Sequence, residues 1–217
     1  MKNYGELPIT LGIYPIECIE NMYYLYMPIK MLGQDSFIHL EDRLKFLSPL
    51  IVAALKDLKK EQYNIFDSYM YITVKNMLIT PEYLGNRPGY HSDGFMTEDI
   101  NYIWCDGSPT IFNCSPFNLT MDENISMQDM EQQALKENEV IYPAYSLLRL
   151  DQYNIHKVAP IDKNMVRTFV KISVSKDKYN LIGNTHNYLL DYKWEVHHRT
   201  ENRNVPQLKP TDHANDR

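Results

Sequence analysis

Cysteine is scarce in this sequence. The 217 residues include only three cysteines, Cys18, Cys105 and Cys114, which are too far apart to form a CxxC pair. An odd, scattered set argues against a disulfide framework and against a zinc knuckle. Reduced thiols are the rule in the cytoplasm, so we expect a cytoplasmic protein.

Long apolar runs are missing as well. No stretch approaches the ~20 apolar residues that a membrane-spanning helix needs. The opening residues, MKNYGELPITLGIYPIE, contain no uninterrupted apolar segment of the kind that secretory signals carry. We therefore expect neither a membrane anchor nor secretion.

An excess of positive charge is also absent. The 22 lysines and arginines are outnumbered by 28 aspartates and glutamates, which gives a formal net charge of −6. Proteins that bind duplex nucleic acid usually carry a basic surface, so this partner is disfavoured. A small molecule, a protein side chain or a flipped nucleobase all stay open as substrates.

Glycine is limited to eight residues, whereas tyrosine reaches 17. Aromatic residues favour strands, and the overall length suits one domain with a sizeable core.

Helical spacing of Phe37, Leu40, Leu44 and Leu47 predicts a helix over 35–47, and Ser48 with Pro49 predicts the start of another over 49–61. A third, acidic helix is expected over 126–138 with Ser126 as its cap.

The remaining pattern is one of short strands. Segments 68–79, 139–150, 154–160 and 166–175 are rich in β-branched and aromatic residues, and shorter strands are expected between residues 90 and 118. Helices followed by hairpin-spaced strands indicate a mainly β fold with some α, namely a sandwich or jelly roll buttressed by N-terminal helices. We expect one domain over 1–192, with helical support at 35–62 and a core at 68–175, and a polar tail over 193–217.

The stretch RPGYHSDGF places His91 and Asp93 two positions apart. Residues at this spacing on a strand share a face, so both could bind one metal ion, although a hydrogen-bonded turn pair is the simpler alternative. A third ligand is needed, and six other histidines are candidates: His39, His156, His186, His197, His198 and His213.

Among these candidates His156 has the most suggestive surroundings. It follows a predicted strand, and Arg167 begins the next one eleven residues later. A hairpin would bring the two side chains close together. Two histidines and one carboxylate would then hold a metal on one face, and a guanidinium would lie within reach to bind a carboxylate.

His91-x-Asp93, a distant His156 and then Arg167 together resemble the signature of the iron(II)- and 2-oxoglutarate-dependent dioxygenases. The resemblance covers roughly residues 68–175, and the motif looks closest to the prolyl-hydroxylase-like and small-molecule hydroxylase branches. It implies a double-stranded β-helix with Fe(II) on His91, Asp93 and His156. No catalytic residue is implied beyond these metal ligands.

The resemblance also implies a cosubstrate. Arg167 would bind the distal carboxylate of 2-oxoglutarate, and a hydroxyl from Tyr71 or Tyr102 is a candidate for helping it. The implied reaction consumes O2, releases succinate and CO2, and hydroxylates a substrate that the sequence does not identify.

Two other functions fit the same residues. A cupin-like metalloprotein, such as an isomerase or a dioxygenase without cosubstrate, would use the three ligands and leave Arg167 for an acidic substrate. A binding protein on a jelly-roll scaffold would need no chemistry. An insert over 118–138 separates the two halves of the motif, and we expect it to act as a lid, so that deletion of 121–137 alters turnover while sparing iron binding.

Overall fold

The computed structural model describes residues 2–35 and 37–199. Its helices and strands, in chain order, are β1 (Ile9–Ile13), β2 (Met22–Lys30), a 3-10 helix (Asp42–Leu47), α1 (Ser48–Lys60), a 3-10 helix (Ile65–Asp67), β3 (Tyr69–Ile79), β4 (Ile100–Cys105), β5 (Thr110–Asn113), α2 (Glu123–Gln133), a 3-10 helix (Lys136–Asn138), β6 (Glu139–Ile141), β7 (Ser146–Leu150), β8 (His156–Val158) and β9 (Met165–Ser175). The protein is therefore mainly β, as its composition predicts.

The strands form two antiparallel sheets. The large sheet has the order β1-β7-β4-β9-β3-β2, and the small sheet has the order β6-β5-β8. An isolated antiparallel bridge between His91 and His156 adds the segment around His91 to the free side of β8. Phe112 of the small sheet packs with Ile103, Leu148 and Phe169 of the large one, so the two sheets face each other.

Chain order alternates between the sheets. Strand β3 lies in the large sheet, the His91 segment in the small one, β4 in the large one, and β5 and β6 in the small one. Strands β7, β8 and β9 then alternate again, large, small and large. This alternation gives the sandwich a jelly-roll-like topology.

The alternating side chains of β9 show which residues lie on each face of the large sheet. Val170, Ile172 and Val174 belong to the main core, together with Leu50 and Leu58 of α1. Because successive strand residues point to opposite faces, the alternate residues of β9 point toward the small sheet. The face opposite α1 therefore holds Arg167, Phe169 and Lys171.

Several expectations about elements are confirmed and others are wrong. Strands 68–79 and 166–175 and helix 49–61 are confirmed within one residue. The helix over 35–47 is wrong, because only Asp42–Leu47 form a 3-10 helix and Phe37 is 70% exposed. Strands β1 and β2 precede all helices, so the expected order of helices before strands is also wrong.

The third expected helix begins earlier than its sequence suggests. It runs over Glu123–Gln133, and the carboxylate of Asp122, rather than Ser126, accepts hydrogen bonds from the first turn. The expected tail lies partly inside the structure, since Trp194 packs on Tyr69 and Tyr192. The rest of that tail, 200–217, is outside the described residues. No described helix is long and apolar enough to cross a bilayer.

Candidate metal centre

Two distant segments bring three ligand residues together. His91 and His156 exchange backbone hydrogen bonds, with N···O distances of 2.9 Å in both directions. Asp93 lies in the turn that follows His91. One ligand atom from each of these three residues lies within 4.8 Å of the other two, which a single metal ion could satisfy. The structure thus brings together the three residues that the sequence motif predicts.

Both histidines are oriented by main-chain carbonyls. His91 Nδ1 lies 3.0 Å from the Gly89 oxygen, and His156 Nδ1 lies 2.9 Å from the Asn154 oxygen. A carbonyl oxygen can only accept a hydrogen bond, so each Nδ1 carries the hydrogen and donates it, and Nε2 of each neutral ring is the unprotonated, metal-binding nitrogen. This outer hydrogen bonding is what metal-ligating histidines usually have.

The surroundings keep the three groups in the ionisation states that a metal requires. Burial, together with the neighbouring His156, lowers the pKa of His91 to about 3, and burial also lowers the pKa of His156. Burial alone would raise the pKa of Asp93, but Lys171 and the two histidines hold it below its usual range. Two neutral imidazoles and a carboxylate are thus available at neutral pH.

Lys171 is a close neighbour of the triad that the sequence analysis missed. Its Nζ donates to Asp93 Oδ2 at 3.2 Å and to the Tyr26 hydroxyl at 3.1 Å. The side chain is only 9% exposed. A weak signal was present in the sequence, because Lys171 interrupts the apolar run from Phe169 to Ile172.

The triad opens into a cavity of about 880 Å³ between the sheets. This volume suits a small-molecule ligand. The large sheet contributes Lys75 and Phe169 to its wall, and helix α2 contributes Met127 and Met130. Lys75 donates to the Gly85 carbonyl at 2.7 Å, so a second lysine lies on the cavity face.

Arg167 lies on the same face of β9, beyond Phe169, with its guanidinium carbon 5.1 Å from that ring's centre. Its Nε donates to the Gly107 carbonyl at 3.0 Å. When the Asn86 amide is oriented so that its NH2 group donates to the Gly85 carbonyl, the Asn86 amide oxygen accepts a hydrogen bond from Arg167 Nη1 at 3.2 Å. Its Nη2 is buried and is the one such side-chain atom in the described chain with no hydrogen-bond partner.

An orphaned, buried guanidinium nitrogen is costly unless a ligand supplies an acceptor. Within the protein, the Cys105 thiol and the Asp106 carboxylate are the groups that act on this guanidinium electrostatically. Arg167 itself is buried and does not line the cavity, whereas Phe169, whose ring lies against the guanidinium, does.

The two tyrosines proposed as helpers are placed differently. Tyr102 lies on the face of the large sheet that packs against α1, where its hydroxyl donates to Asp57. The structure does not bring it to the triad. Tyr71 lies on the cavity side of β3, but its hydroxyl donates to the Asp177 carbonyl at 2.8 Å, and its ring stacks on Tyr179. Both hydroxyls are thus engaged within the protein.

The other candidate histidines lie apart from the triad. His39 packs on Phe37, His186 packs on Tyr192, and His197 pairs through its backbone with Leu181. His198 is exposed, and His213 is outside the described residues. Of the six candidates for the third ligand, the structure brings only His156 to His91 and Asp93 within its described part.

Helix α2 supports the metal-ligand segment. Glu131 Oε2 accepts a hydrogen bond from the backbone nitrogen of Tyr90 at 3.0 Å, and Met130 packs with Tyr90 and Ile155. These residues adjoin His91 and His156 in sequence. The insert therefore contacts the backbone of the site as well as lining the cavity.

No family model and no curated protein matches this chain. Among solved structures, EvdO2 from Micromonospora carbonacea var. aurantiaca is similar to it, at 14% identity and a TM-score of 0.38, over 60% of this chain and 62% of that one. EvdO2 complexed with 2-oxoglutarate is similar at 14% identity and a TM-score of 0.39, over 63% and 66%. The chain thus spans less than two thirds of EvdO2, and a likeness this distant carries no argument about function.

Proposed function

We propose that this protein is an oxygenase of the double-stranded β-helix type that uses Fe(II) and 2-oxoglutarate. It would hydroxylate a substrate that is not yet identified and release succinate and CO2. The observation that carries the proposal is the convergence of His91, Asp93 and His156 inside a cavity, with ligand atoms within 4.8 Å of one another. Two imidazoles and one carboxylate on one side leave coordination positions open on the other.

Each residue has a defined part in this proposal. His91 and His156 would bind Fe(II) through Nε2, because their Nδ1 atoms are hydrogen bonded to carbonyls, and Asp93 would bind through its carboxylate. The bound iron would supply the activation of O2 for oxidative decarboxylation and hydroxylation. Arg167 would donate Nη2 to the distal carboxylate of 2-oxoglutarate, which satisfies its orphaned nitrogen.

The cavity walls would orient the ligands and limit the access of water. Phe169 lies between Arg167 and Lys171 on β9 and lines the cavity, where it would pack against the carbon chain of the cosubstrate. Met127 and Met130 line the wall on the side of α2, and their flexible side chains would adapt to a substrate.

An anaerobic titration with Fe(II) and 2-oxoglutarate tests the proposal. The wild-type protein should develop the visible charge-transfer band of a 2-oxoglutarate–iron chelate. His91→Ala and Asp93→Ala should lose the band, and Arg167→Met should need at least about tenfold more 2-oxoglutarate, since a charge-assisted pair is lost. His39→Ala is the matched control and should keep it. A folded wild-type protein that gives no band would refute the proposal.

A second function is favoured by one observation, the ion pair between Lys171 and Asp93. Since this lysine already provides the carboxylate with a counter-charge, a jelly-roll protein that binds an anionic ligand without metal also accounts for the site.

Thermal unfolding separates the two functions, because a ligand that binds only the folded protein raises its melting temperature. An oxygenase should be stabilised by 2-oxoglutarate only when Mn(II) is present, whereas a metal-free binding protein should respond equally with and without Mn(II). A cupin-like metalloprotein should respond to Mn(II) alone.

A further inference from the structure

The ammonium group of Lys171 lies beside the point where the three ligand atoms converge. Asp93 Oδ2 accepts from Lys171 Nζ at 3.2 Å, and the same oxygen lies 3.7 Å from Nε2 of His156. A metal bound to His156 and Asp93 would therefore have a fixed positive charge as a close neighbour. This placement is unusual, because the lysine competes with the metal for one carboxylate oxygen.

Lys171 is also held in place from several sides. Its strand, β9, lies inside the large sheet between β4 and β3, where Lys171 is paired with Ile103 and Thr73. The Tyr26 hydroxyl accepts a second hydrogen bond from Nζ, and the ammonium lies 5.0 Å from the centre of the Tyr26 ring. The side chain is almost fully buried, so the charge cannot move out to solvent when a metal arrives.

The charges at the site then do not balance for a metal alone. Asp93 contributes the one negative charge among the three ligands, and Lys171 already compensates it. Lys75 lies on the same cavity face and is close enough to interact electrostatically with both Lys171 and Asp93. A divalent cation would add two positive charges that neither the three ligands nor Lys171 compensates, which is unfavourable beside a buried ammonium. The other carboxylates of the cavity, from Asp99, Glu123 and Asp177, are not paired with Lys171. An oxygen-donor dianion that binds the metal would remove this penalty.

We propose that Lys171 makes divalent-metal binding conditional on a dianionic ligand, so that the site takes up metal and dianion together. The inference rests on the proposed metal site and names the regulation of that site. Lys171 is a specificity-determining residue here: it weakens the binding of metal alone and strengthens the coupling between metal and dianion. Coupling of this kind is reciprocal, so the metal raises the affinity for the dianion by the same factor.

The test measures Mn(II) affinity from the electron paramagnetic resonance signal of free Mn(II), with and without oxalate. Protein-free solutions correct for the Mn(II) that oxalate binds by itself. The variants are Lys171→Met, which removes the charge, and Lys171→Arg, which keeps it. Lys75→Met is the matched control, because Lys75 is a cavity lysine whose ammonium donates to Gly85 rather than to Asp93.

Wild-type protein should bind Mn(II) weakly alone and at least about tenfold more tightly with oxalate. Lys171→Met should bind Mn(II) alone about tenfold more tightly than wild type and should show a smaller oxalate effect, since the repulsion is removed. Lys171→Arg should behave as wild type. Lys75→Met should change Mn(II) affinity less than Lys171→Met does.

Either of two results would overturn the inference: no coupling in the wild type, or Lys171→Met binding Mn(II) alone no more tightly than wild type. If Lys171→Met does not fold, Lys171→Gln takes its place. The absence of coupling between Mn(II) and oxalate in the wild type would overturn the inference without any variant. Failure of the proposed function looks different. Lys171-dependent coupling with oxalate, but no charge-transfer band with Fe(II) and 2-oxoglutarate, would leave the inference standing and refute only the oxygenase.

Discussion

Lys75 places an ammonium group on the cavity face of the large sheet, close to two other cations. Its own hydrogen bond goes to the Gly85 carbonyl, and Lys171 and Arg167 are the like charges that act on it most strongly. Burial, reinforced by these two charges, lowers the pKa of Lys75 to about 8. The charged form is therefore disfavoured in the folded state relative to the unfolded chain.

This gives the pH dependence of stability a definite sign. Between about pH 8 and 10.5 the unfolded chain binds the proton of Lys75 more tightly than the folded protein does, so folding becomes more favourable as the pH rises. We expect the free energy of unfolding of wild type, relative to Lys75→Met, to increase by about 3 kcal/mol between pH 7 and 10.5, at about 1.4 kcal/mol per pKa unit.

Urea denaturation at a series of pH values measures this difference. Lys176→Met serves as the control, because Lys176 is an exposed residue paired with Glu98 and its removal should leave the pH profile of wild type unchanged. A constant difference between wild type and Lys75→Met across this range would show that Lys75 is not electrostatically destabilised.

At the residue scale, the sequence predicts the metal ligands better than their charged neighbours. His91, Asp93 and His156 were recoverable because a metal site needs specific donors at a specific spacing. Lys75 and Lys171 were not assigned, although Lys171 interrupts an apolar run, because lysine is usually an exposed residue. Only the pairing of β3 with β9 turns both side chains toward the same cavity. Tyr102 was assigned to the cosubstrate because strand alternation alone does not say which face is the cavity.

At the scale of elements, helix α1 is tied to the large sheet by one buried carboxylate. Asp57 accepts hydrogen bonds from the Tyr102 hydroxyl at 2.9 Å and from Arg149 Nη1 at 3.0 Å. Asp57→Ala would leave the buried Tyr102 hydroxyl without this acceptor and would leave Arg149 with only the half-exposed Glu61 as an ion-pair partner. We expect a loss of about 3 kcal/mol in the free energy of unfolding, since breaking a buried charge pair is costly.

The measurement is chemical denaturation of Asp57→Ala beside Asp42→Ala, whose exposed carboxylate pairs with Lys45. The control should lose almost nothing, because exposed ion pairs contribute little. Mn(II) affinity should be unchanged in both variants while they are folded, since Asp57 is on the far face of the sheet. Equal free energies of unfolding for the two variants would contradict the stabilising role of Asp57 between α1 and the large sheet.

Helix α2 leads to a prediction that differs from the one made from sequence. The sequence-based hypothesis was that deletion of 121–137 spares iron binding. In the structure Glu131 holds the backbone of Tyr90, next to His91, and the Leu135 carbonyl accepts from Asn113. We therefore expect the deletion to weaken Mn(II) binding strongly, and Glu131→Ala to weaken it several-fold, because the Tyr90 amide loses its partner.

Mn(II) titration of Glu131→Ala beside Glu137→Ala tests this role. Glu137 is exposed and lies in the same insert, so the two variants carry the same change of charge. Equal Mn(II) affinities would show that the insert does not position the ligands, and the original lid hypothesis would then stand unmodified.

The elements that the sequence predicts well are those with a strong local pattern. Helix α1 buries one face against the large sheet, so its helical period is plain in the sequence. Strand β9 is buried on both faces from Arg167 to Ser175, and its β-branched and aromatic residues identify it instead. The helix expected over 35–47 is wrong because Phe37 is exposed, and of the four apolar residues at helical spacing only Leu44 and Leu47 are fully buried, whereas Leu40 packs at the margin of the core. The strand expected over 139–150 is divided into β6 and β7, since Pro143 lies between them and Tyr145 adopts a positive φ of 66°. Long-range packing, which the sequence does not encode locally, decides such cases.

At the scale of the whole molecule, the N-terminal segment connects the edge of the large sheet to the metal centre. Strand β1 covers β7 by antiparallel pairing. Upstream of it, Gly5 donates its backbone N–H to the Tyr153 carbonyl, and the Glu6 carbonyl accepts from Asn154. The carbonyl of Asn154 in turn orients His156. The N-terminal segment thus stabilises both an edge of the large sheet and the orientation of the metal-binding residue His156.

Deletion of residues 2–13 should therefore have two effects at once. Strand β7 becomes an unpaired edge, so its amides should exchange with deuterium faster, and the protein should associate at high concentration. Mn(II) affinity, measured with oxalate present, should fall several-fold because Asn154 loses its contact with Glu6. Lys2→Ala is the control, since it removes an exposed ion pair with Asp151 and a cation–π contact with Tyr153 but leaves β1, Gly5 and Glu6 in place. If the deletion loses protection in β7 while keeping full Mn(II) affinity, then the segment covers the sheet edge without supporting His156, and the orientation of that histidine depends on its bridge to His91 alone.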